Sequence, residues 1–200
     1  LFERIAKIIG LDVAGVDVIA PNVSEPLSEN GGGIIEVNAA PGFRMHLSPS
    51  EGIGRNVAEH VIDMLFPPGT PARIPIFSIT GTNGKTTTTR LIAHILKNSG
   101  RTVGFTTTDG TYIGNQQITA GDNTGPVSAQ LVLKDPTVDV AVLETARGGI
   151  IRSGLGFDHC DIGVVMNIAA DHLGLKDVNT LEDLARVKSV VPRSVSKKGY

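Results

Sequence analysis

Residues 79–87 read Ile-Thr-Gly-Thr-Asn-Gly-Lys-Thr-Thr and lie between an apolar run and a helical pattern. In such a glycine-rich loop, successive backbone N–H groups converge on phosphate oxygens, and the N-terminus of the following helix adds partial positive charge. Lys85 is expected to reach the β- and γ-phosphates, and the Thr86 hydroxyl to help to hold Mg²⁺. The strict phosphate-loop pattern has a glycine five positions before Gly84, where this chain has Ile79. The predicted nucleotide-binding residues are Gly81, Thr82, Asn83, Gly84, Lys85, Thr86 and Thr87.

The segments around this loop alternate between apolar runs and helical patterns. Residues 74–79 read as a buried strand, residues 85–97 as a helix and residues 102–106 as another strand, which is a βαβ signature. Further patterns predict a hairpin at 112–118, a helix at 127–133, strands at 138–143 and 162–168, and a helix at 181–191. We therefore expect an α/β fold with a mostly parallel sheet flanked by helices.

The beginning of the chain has a different pattern. It predicts a helix at residues 2–9, two antiparallel strands at 13–19 and 33–37, and an amphipathic helix at 49–64 with Ser48 or Ser50 as its N-cap. Three prolines then fall within residues 67–71, which cannot continue a helix and form a stiff connector. The predicted domains are therefore residues 1–66 and 75–200, joined by a Pro-rich connector at 67–74.

The composition excludes some classes of protein. A formal net charge of −2 argues against the basic surface that sequence-independent nucleic-acid binding requires. No apolar run approaches the roughly 20 residues that span a bilayer, so no membrane association is expected. The single Cys160 cannot form an intrachain disulfide, which favours a cytoplasmic protein. The chain opens on Leu1 and ends at Tyr200 without a helix stop, and we expect both ends to be cuts in a longer chain.

The phosphate loop resembles that of the Mur ligase and folylpolyglutamate synthase superfamily, in which the shifted glycine is normal. Two further segments fit this resemblance in order: Leu143-Glu144-Thr145 closes a strand, and residues 167–173 are similar to the family's N-I-x-x-D-H-L segment. The resemblance implies that Glu144 and His172 bind Mg²⁺. It also implies that Lys188 falls near the position at which many of these ligases carry a carbamylated lysine that bridges to metal. Taken alone, Glu144 could be an ordinary loop acid, and Lys188 a solvated helix residue.

A second group of polar residues lies near the start of the chain. Glu36 and Asn38 are two apart on a predicted strand, so both point to one face, and Asp17 on the neighbouring strand can join them. Oxygen ligands of this kind suit Mg²⁺. The pattern resembles the metal-binding end of the ATP-grasp fold, which implies that Asp17, Glu36 and Asn38 hold the Mg²⁺ of a second ATP. The alternative is a strand with exposed polar residues before a Pro-Gly turn.

The two resemblances together cover essentially all 200 residues and are typical of two-module ligases that build an aspartate/arginine polymer. They imply that ATP activates a carboxylate as an acyl phosphate, which an amine then displaces. The ATP-grasp site would add aspartate to the growing polymer chain, and the Mur-like site would add arginine. The expected cofactors are ATP and Mg²⁺, the expected partners are these amino acids and the polymer, and a homo-oligomer is expected.

The expected catalytic residues of the Mur-like site are Lys85, Arg147 and Lys188. Arg147 or Arg152 would orient a substrate carboxylate or the acyl phosphate. Asp122, within residues 121–125, would face a cationic substrate, although these residues could equally form a plain surface loop.

Three other functions remain open from the sequence. One is a different Mur-type ligase, acting on a peptidoglycan precursor or on folate, for which Glu36 would be dispensable. Another is a phosphate-loop ATPase that switches conformation and needs no amino-acid acceptor, which leaves the Glu36 and Asn38 pattern unexplained. The third is a degenerate copy with a structural role.

Overall fold

The computed structural model describes residues 1–170, 173–174 and 178–200, which fold as two compact units, Leu1–Ala72 and Arg73–Tyr200. The elements of the first unit are α1 (Phe2–Ile9), β1 (Gly15–Ile19), α2 (Leu27–Asn30), β2 (Gly33–Asn38), α3 (Arg44–Leu47) and α4 (Val57–Leu65). β1 and β2 are antiparallel, with Asp17 opposite Glu36 and Gly15 opposite Asn38. The predicted helix at 2–9 and the predicted antiparallel pair are confirmed.

The prediction of a helix at 49–64 is wrong over its first half. Helix α4 begins only at Val57, and Asn56 is its N-cap. Two glycines explain the difference. Gly52 has a φ of +89°, and a Cβ on Gly54 would lie 2.5 Å from the carbonyl oxygen of Leu47. The chain therefore turns back toward α3 here, and helix formation starts beyond the glycines.

The second unit contains a six-stranded sheet. Its elements are β3 (Ile76–Thr80), α5 (Lys85–Asn98), β4 (Val103–Thr107), β5 (Gly110–Ile113), β6 (Gln116–Ala120), α6 (Pro126–Lys134), β7 (Val140–Glu144), α7 (Arg147–Ser153), β8 (Ile162–Val165), α8 (Leu181–Lys188) and α9 (Val190–Arg193). The strand order is β6-β5-β4-β7-β3-β8. β4, β7, β3 and β8 are parallel, whereas β5 and β6 form an antiparallel extension. The predicted α/β fold with a mostly parallel sheet is confirmed.

The core lies on both faces of this sheet, because the central strands β3, β4 and β7 are buried at nearly every position. On β7, Ala141 and Leu143 pack with Ala129 and Val132 of α6. Val140 and Val142 face the opposite side, where the cluster includes Ala93 of α5. Burial on both faces is typical of parallel strands. It leaves the carboxyl ends of β3 and β7 side by side, which is where ligand groups collect in open α/β sheets.

Three parts of the second unit differ from the sequence prediction. The single helix predicted at 181–191 is two helices, since α8 ends at Lys188 and α9 begins at Val190. Helix α7 was not predicted, because the adjacent glycines at 148 and 149 have low helix propensity. β8 ends at Val165 and not at residue 168, because the residues beyond it contact the phosphate loop. Among the helices of the described residues, none is both long and apolar enough to cross a membrane.

Candidate nucleotide and metal site

The phosphate loop connects β3 to α5, and its two glycines are required by the backbone. Gly81 has a φ of +151°, and a Cβ there would lie 2.8 Å from Cβ of Met166. Gly84 has a φ of +83° and forms the N-cap of α5. Both conformations disfavour other residues. The shifted glycine pattern of the sequence is therefore a consequence of close contact between the loop and the residues that follow β8.

The first N–H groups of α5 have no intrahelical partner, as at every α-helix N-terminus, so they can bind an anion. These are the N–H groups of Gly84 and the residues 85–87, at the start of the 14-residue helix. Nζ of Lys85 donates to the Thr82 carbonyl oxygen at 3.0 Å, so its side chain folds back across the loop. The lysine amine and the helix N-terminus thus lie on the same loop, as phosphate binding requires.

Asn167 is a residue at this site that the sequence reasoning did not assign. Its backbone carbonyl accepts the N–H of Thr82 at 2.9 Å, and its Oδ1 accepts the N–H of Asn83 at 3.0 Å. Its Nδ2 donates to the Asn83 carbonyl oxygen at 3.1 Å. The N–H groups of Thr82 and Asn83 therefore bond within the protein in this structure. Asn167 is the first residue of the family segment at 167–173. The predicted metal ligand of that segment is His172.

Glu144 ends β7 beside the loop and is 2% exposed. Its Oε2 accepts the Thr86 hydroxyl at 2.8 Å, whereas its Oε1 is buried with no hydrogen-bond partner among the described residues. The Thr108 hydroxyl lies 3.3 Å from that of Thr86. Burial raises the pKa of Glu144, against the opposing effects of the Thr86 hydrogen bond and the positive charge of Lys85. A buried carboxylate oxygen without a partner, beside two hydroxyls, fits a hard divalent cation such as Mg²⁺.

Lys188 is buried, not solvated. Only 3% of its surface is exposed, and its Nζ donates a hydrogen bond to the Gly81 carbonyl oxygen at 2.7 Å. Burial, together with the nearby charges of Lys85 and Arg147, lowers the pKa of Lys188 to about 8. Lys188 thus joins α8 directly to the phosphate loop.

The three predicted catalytic residues share one cleft. Lys85, Arg147 and Lys188 line a cavity of about 230 Å³, together with Asp122 and Thr108. Arg152 lines a neighbouring cavity and donates from Nε to the Gly148 carbonyl oxygen at 3.1 Å. The cleft thus combines three cationic side chains and one carboxylate.

The first unit brings its predicted ligands to one face of β1 and β2. Asp17 lies directly opposite Glu36, and Nδ2 of Asn38 donates to Oδ2 of Asp17 at 3.3 Å. Within the described residues, no group of three His, Cys, Asp or Glu side chains could hold a metal ion. A metal held by the described residues alone would therefore need hydroxyl or amide oxygens as well. The predicted ligand His172 lies outside the described residues.

Comparisons with known proteins identify the second unit. The model of the Mur ligase middle domain matches residues 79–200. The chain is 64% identical to cyanophycin synthetase from Synechocystis sp. over 200 residues, which are 100% of this chain and 23% of that protein. It is 33% identical to UDP-N-acetylmuramoyl-L-alanyl-D-glutamate--2,6-diaminopimelate ligase from Bacillus velezensis over 135 residues, 62% of this chain and 26% of that protein.

Among solved structures, a UDP-N-acetylmuramoyl-L-alanyl-D-glutamate--2,6-diaminopimelate ligase aligns with a TM-score of 0.48 and 25% identity, covering 69% of this chain and 28% of that one. The chain spans 23% of the length of the cyanophycin synthetase from Synechocystis sp.. Because the family model matches more than half of the chain, the chain belongs to the Mur ligase middle-domain family.

Proposed function

We propose that residues 75–200 bind Mg-ATP for an amide-bond ligase that works through an acyl phosphate. The observation that carries this proposal is the position of Glu144 beside the phosphate loop. Its Oε2 accepts from Thr86, its Oε1 has no partner among the described residues, and Lys85 follows the loop. Membership of the Mur ligase family and the 33% identity to an amino-acid ligase support the same chemistry.

The reaction needs charge neutralisation more than covalent help. A substrate carboxylate oxygen attacks the γ-phosphorus of ATP, which forms an acyl phosphate and releases ADP. The amine of the incoming amino acid then attacks the acyl carbon, the C–N bond forms, inorganic phosphate leaves and the amine loses a proton. Both steps gather negative charge on phosphate oxygens, which preorganised cations and N–H groups stabilise.

The described residues supply these groups. The N–H groups at the start of α5 and the amine of Lys85 hold the β- and γ-phosphates. Glu144 and Thr86, with Thr108 nearby, are suited to hold Mg²⁺, and the family resemblance adds His172. A bound Mg²⁺ would supply charge neutralisation at the phosphates. Arg147 is suited to orient the substrate carboxylate or the acyl phosphate in the same cleft.

Lys188 has a separate role in this proposal. The family resemblance places Lys188 near the position at which many of these ligases carry a carbamylated lysine, and we propose that its amine adds to CO₂ and loses a proton to form a carbamate. Only the neutral amine does so, and a pKa lowered to about 8 increases the neutral fraction near physiological pH.

We further propose that the substrates are aspartate, arginine and their growing polymer, with arginine added at the cleft of the second unit. The 64% identity to cyanophycin synthetase supports this. Residues 1–66 would then be part of an ATP-grasp domain, with Asp17, Glu36 and Asn38 as ligands of a second Mg²⁺ and residues 67–74 as the connector. The shared face of these three side chains supports that assignment.

The test uses a whole protein that carries this sequence, with Mg²⁺, ATP and a short Asp/Arg primer. Release of ADP and incorporation of each amino acid are measured with aspartate alone, arginine alone and both. We expect Lys85→Ala to reduce arginine incorporation by about 10- to 100-fold, because a charge-assisted bond contributes about 1.5–3 kcal/mol. Glu36→Ala should reduce aspartate incorporation by a similar factor.

The matched control is Glu59→Ala, which removes an exposed carboxylate from α4 of the first unit. It should leave both incorporations unchanged. Equal ADP release without any amino acid would instead support a conformational-switch ATPase. If Lys85→Ala reduces amino-acid incorporation and Glu36→Ala does not, the result would support a Mur-type ligase of different specificity.

A further inference from the structure

We propose that Asn167 is a positioning residue that holds the phosphate loop in its nucleotide-binding conformation before the nucleotide arrives. Its carboxamide bonds to the backbone of Asn83, at the tip of the loop. This proposal rests on the proposed function, since it assigns a role within the same nucleotide site. The role is indirect, because Asn167 acts through the loop and not on the nucleotide.

The geometry explains why the side chain matters. Oδ1 of Asn167 accepts the N–H of Asn83 at 3.0 Å while Nδ2 donates to the carbonyl oxygen of Asn83 at 3.1 Å. Both polar groups of one peptide residue are thereby fixed by one side chain. Gly84, the next residue, caps α5 with a φ of +83°. Fixing Asn83 therefore restrains the turn that leads into α5, beside its free N–H groups.

Contacts on both sides of this pair extend the same alignment. The N–H of Met166 donates to the Thr80 carbonyl oxygen at 2.9 Å, which continues the β3–β8 pairing toward the loop. Ala169 donates its N–H to the Thr82 hydroxyl at 3.0 Å. The residues that follow β8 thus run alongside the loop. Within this set, the two hydrogen bonds of the Asn167 side chain are the only ones that reach Asn83 among the described residues.

The chemistry also explains why this residue is an asparagine. The pair needs one donor and one acceptor on a short side chain, and Asn supplies both. Asp keeps the acceptor but loses the donor, and it adds a negative charge beside the phosphates. Ala loses both groups. The two variants therefore separate the contribution of the acceptor from that of the donor and the charge.

The experiment measures nucleotide affinity and loop order in the same proteins. Calorimetric titration with Mg²⁺ and a non-hydrolysable ATP analogue is carried out on wild type, Asn167→Ala and Asn167→Asp, with melting temperatures recorded alongside. The control is Asn98→Ala, whose exposed side chain bonds only to His94 among the described residues, at the far end of α5. Amide hydrogen exchange at Asn83 is followed without nucleotide.

We expect Asn167→Ala to weaken nucleotide binding about tenfold, as loss of bonds with a net contribution of about 1–1.5 kcal/mol implies. Asn167→Asp should bind at least as weakly, because its charge repels the phosphates. Exchange at Asn83 should accelerate in Asn167→Ala and stay at the wild-type rate in Asn98→Ala. In a whole protein that carries this sequence, the KM for ATP should rise while the KM for the amino acid stays unchanged.

Three results would overturn the proposal. One is an unchanged exchange rate at Asn83 in Asn167→Ala. A second is a lower melting temperature with unchanged nucleotide affinity, which would make Asn167 a purely structural residue. The third result applies if Asn167→Ala does not fold. In that case, a nucleotide affinity of Asn167→Asp equal to that of wild type would overturn the proposal. Absence of nucleotide binding by wild type would overturn the proposed function itself, while the exchange rates still report whether the pair orders the loop.

Discussion

At the scale of single residues, the amine of Lys188 gives the molecule a pH-dependent stability. Burial lowers its pKa in the folded state to about 8, against about 10.4 for an unperturbed lysine. Below pH 8 the lysine is protonated in both states, so the folded state carries the full cost of the buried charge. Between about pH 8 and 10.4 the unfolded state binds more protons, so stability rises with pH. The free energy of unfolding of wild type relative to Lys188→Met should therefore increase from pH 8 to pH 10.

Urea unfolding at several pH values measures this difference. Lys134→Met is the control for the loss of a lysine, since Lys134 is exposed at the end of α6. If the difference in free energy of unfolding between wild type and Lys188→Met does not change with pH, the folded state does not bury the charged form of Lys188.

At the scale of elements, helix α7 packs against the segment that precedes α6 through one glycine. A Cβ on Gly149 would lie 3.0 Å from Cα of Gly125 and from the carbonyl oxygen of Thr124, both of which are backbone atoms. A Cβ on the adjacent Gly148 would meet nothing closer than an Arg152 side-chain nitrogen at 3.9 Å. Gly149→Ala should therefore lower the free energy of unfolding by about 1–3 kcal/mol through overpacking. Gly148→Ala should be neutral or stabilising by up to about 1 kcal/mol, because alanine has the higher helix propensity.

Chemical denaturation of both variants compares two neighbouring positions on one helix. Equal effects would mean that α7 does not pack closely on residues 124–125.

At the scale of the whole molecule, the two units differ in how much they bury. No residue of Leu1–Ala72 is fully buried, whereas the sheet of Arg73–Tyr200 has apolar clusters on both faces. Amides in poorly buried elements exchange through low-energy local opening. In the isolated 200-residue chain, backbone amides of β7 should therefore exchange at least about a hundredfold more slowly than those of β1 and β2. Hydrogen exchange followed by mass spectrometry measures this, and equal protection in the two units would contradict the burial difference.

Local patterns in the sequence were sufficient for most of the second unit. The apolar runs predicted β3, β4 and β7, because these strands are buried on both faces and carry apolar side chains on each of them. Local patterns did not predict helix α7, which contains two adjacent glycines. They also predicted too early a start for α4, which begins only after the glycines at 52 and 54. At α7 a tertiary contact decides the backbone conformation, because Gly149 packs on residues 124–125, and local propensity does not report it.

The sequence by itself determined the position of the phosphate loop and the α/β class, since a Gly-rich turn between an apolar strand and a helix, and the alternation of strands and helices, are properties of neighbouring residues. Only the tertiary structure decided which side chains meet there. Thr86 and Glu144 are 58 residues apart, and Lys188 is 107 residues from Gly81. They come together because the strand order places the carboxyl ends of β7, β3 and β8 side by side. Asn167 and Thr108 became recognisable for the same physical reason, since their hydrogen-bond partners are distant in sequence.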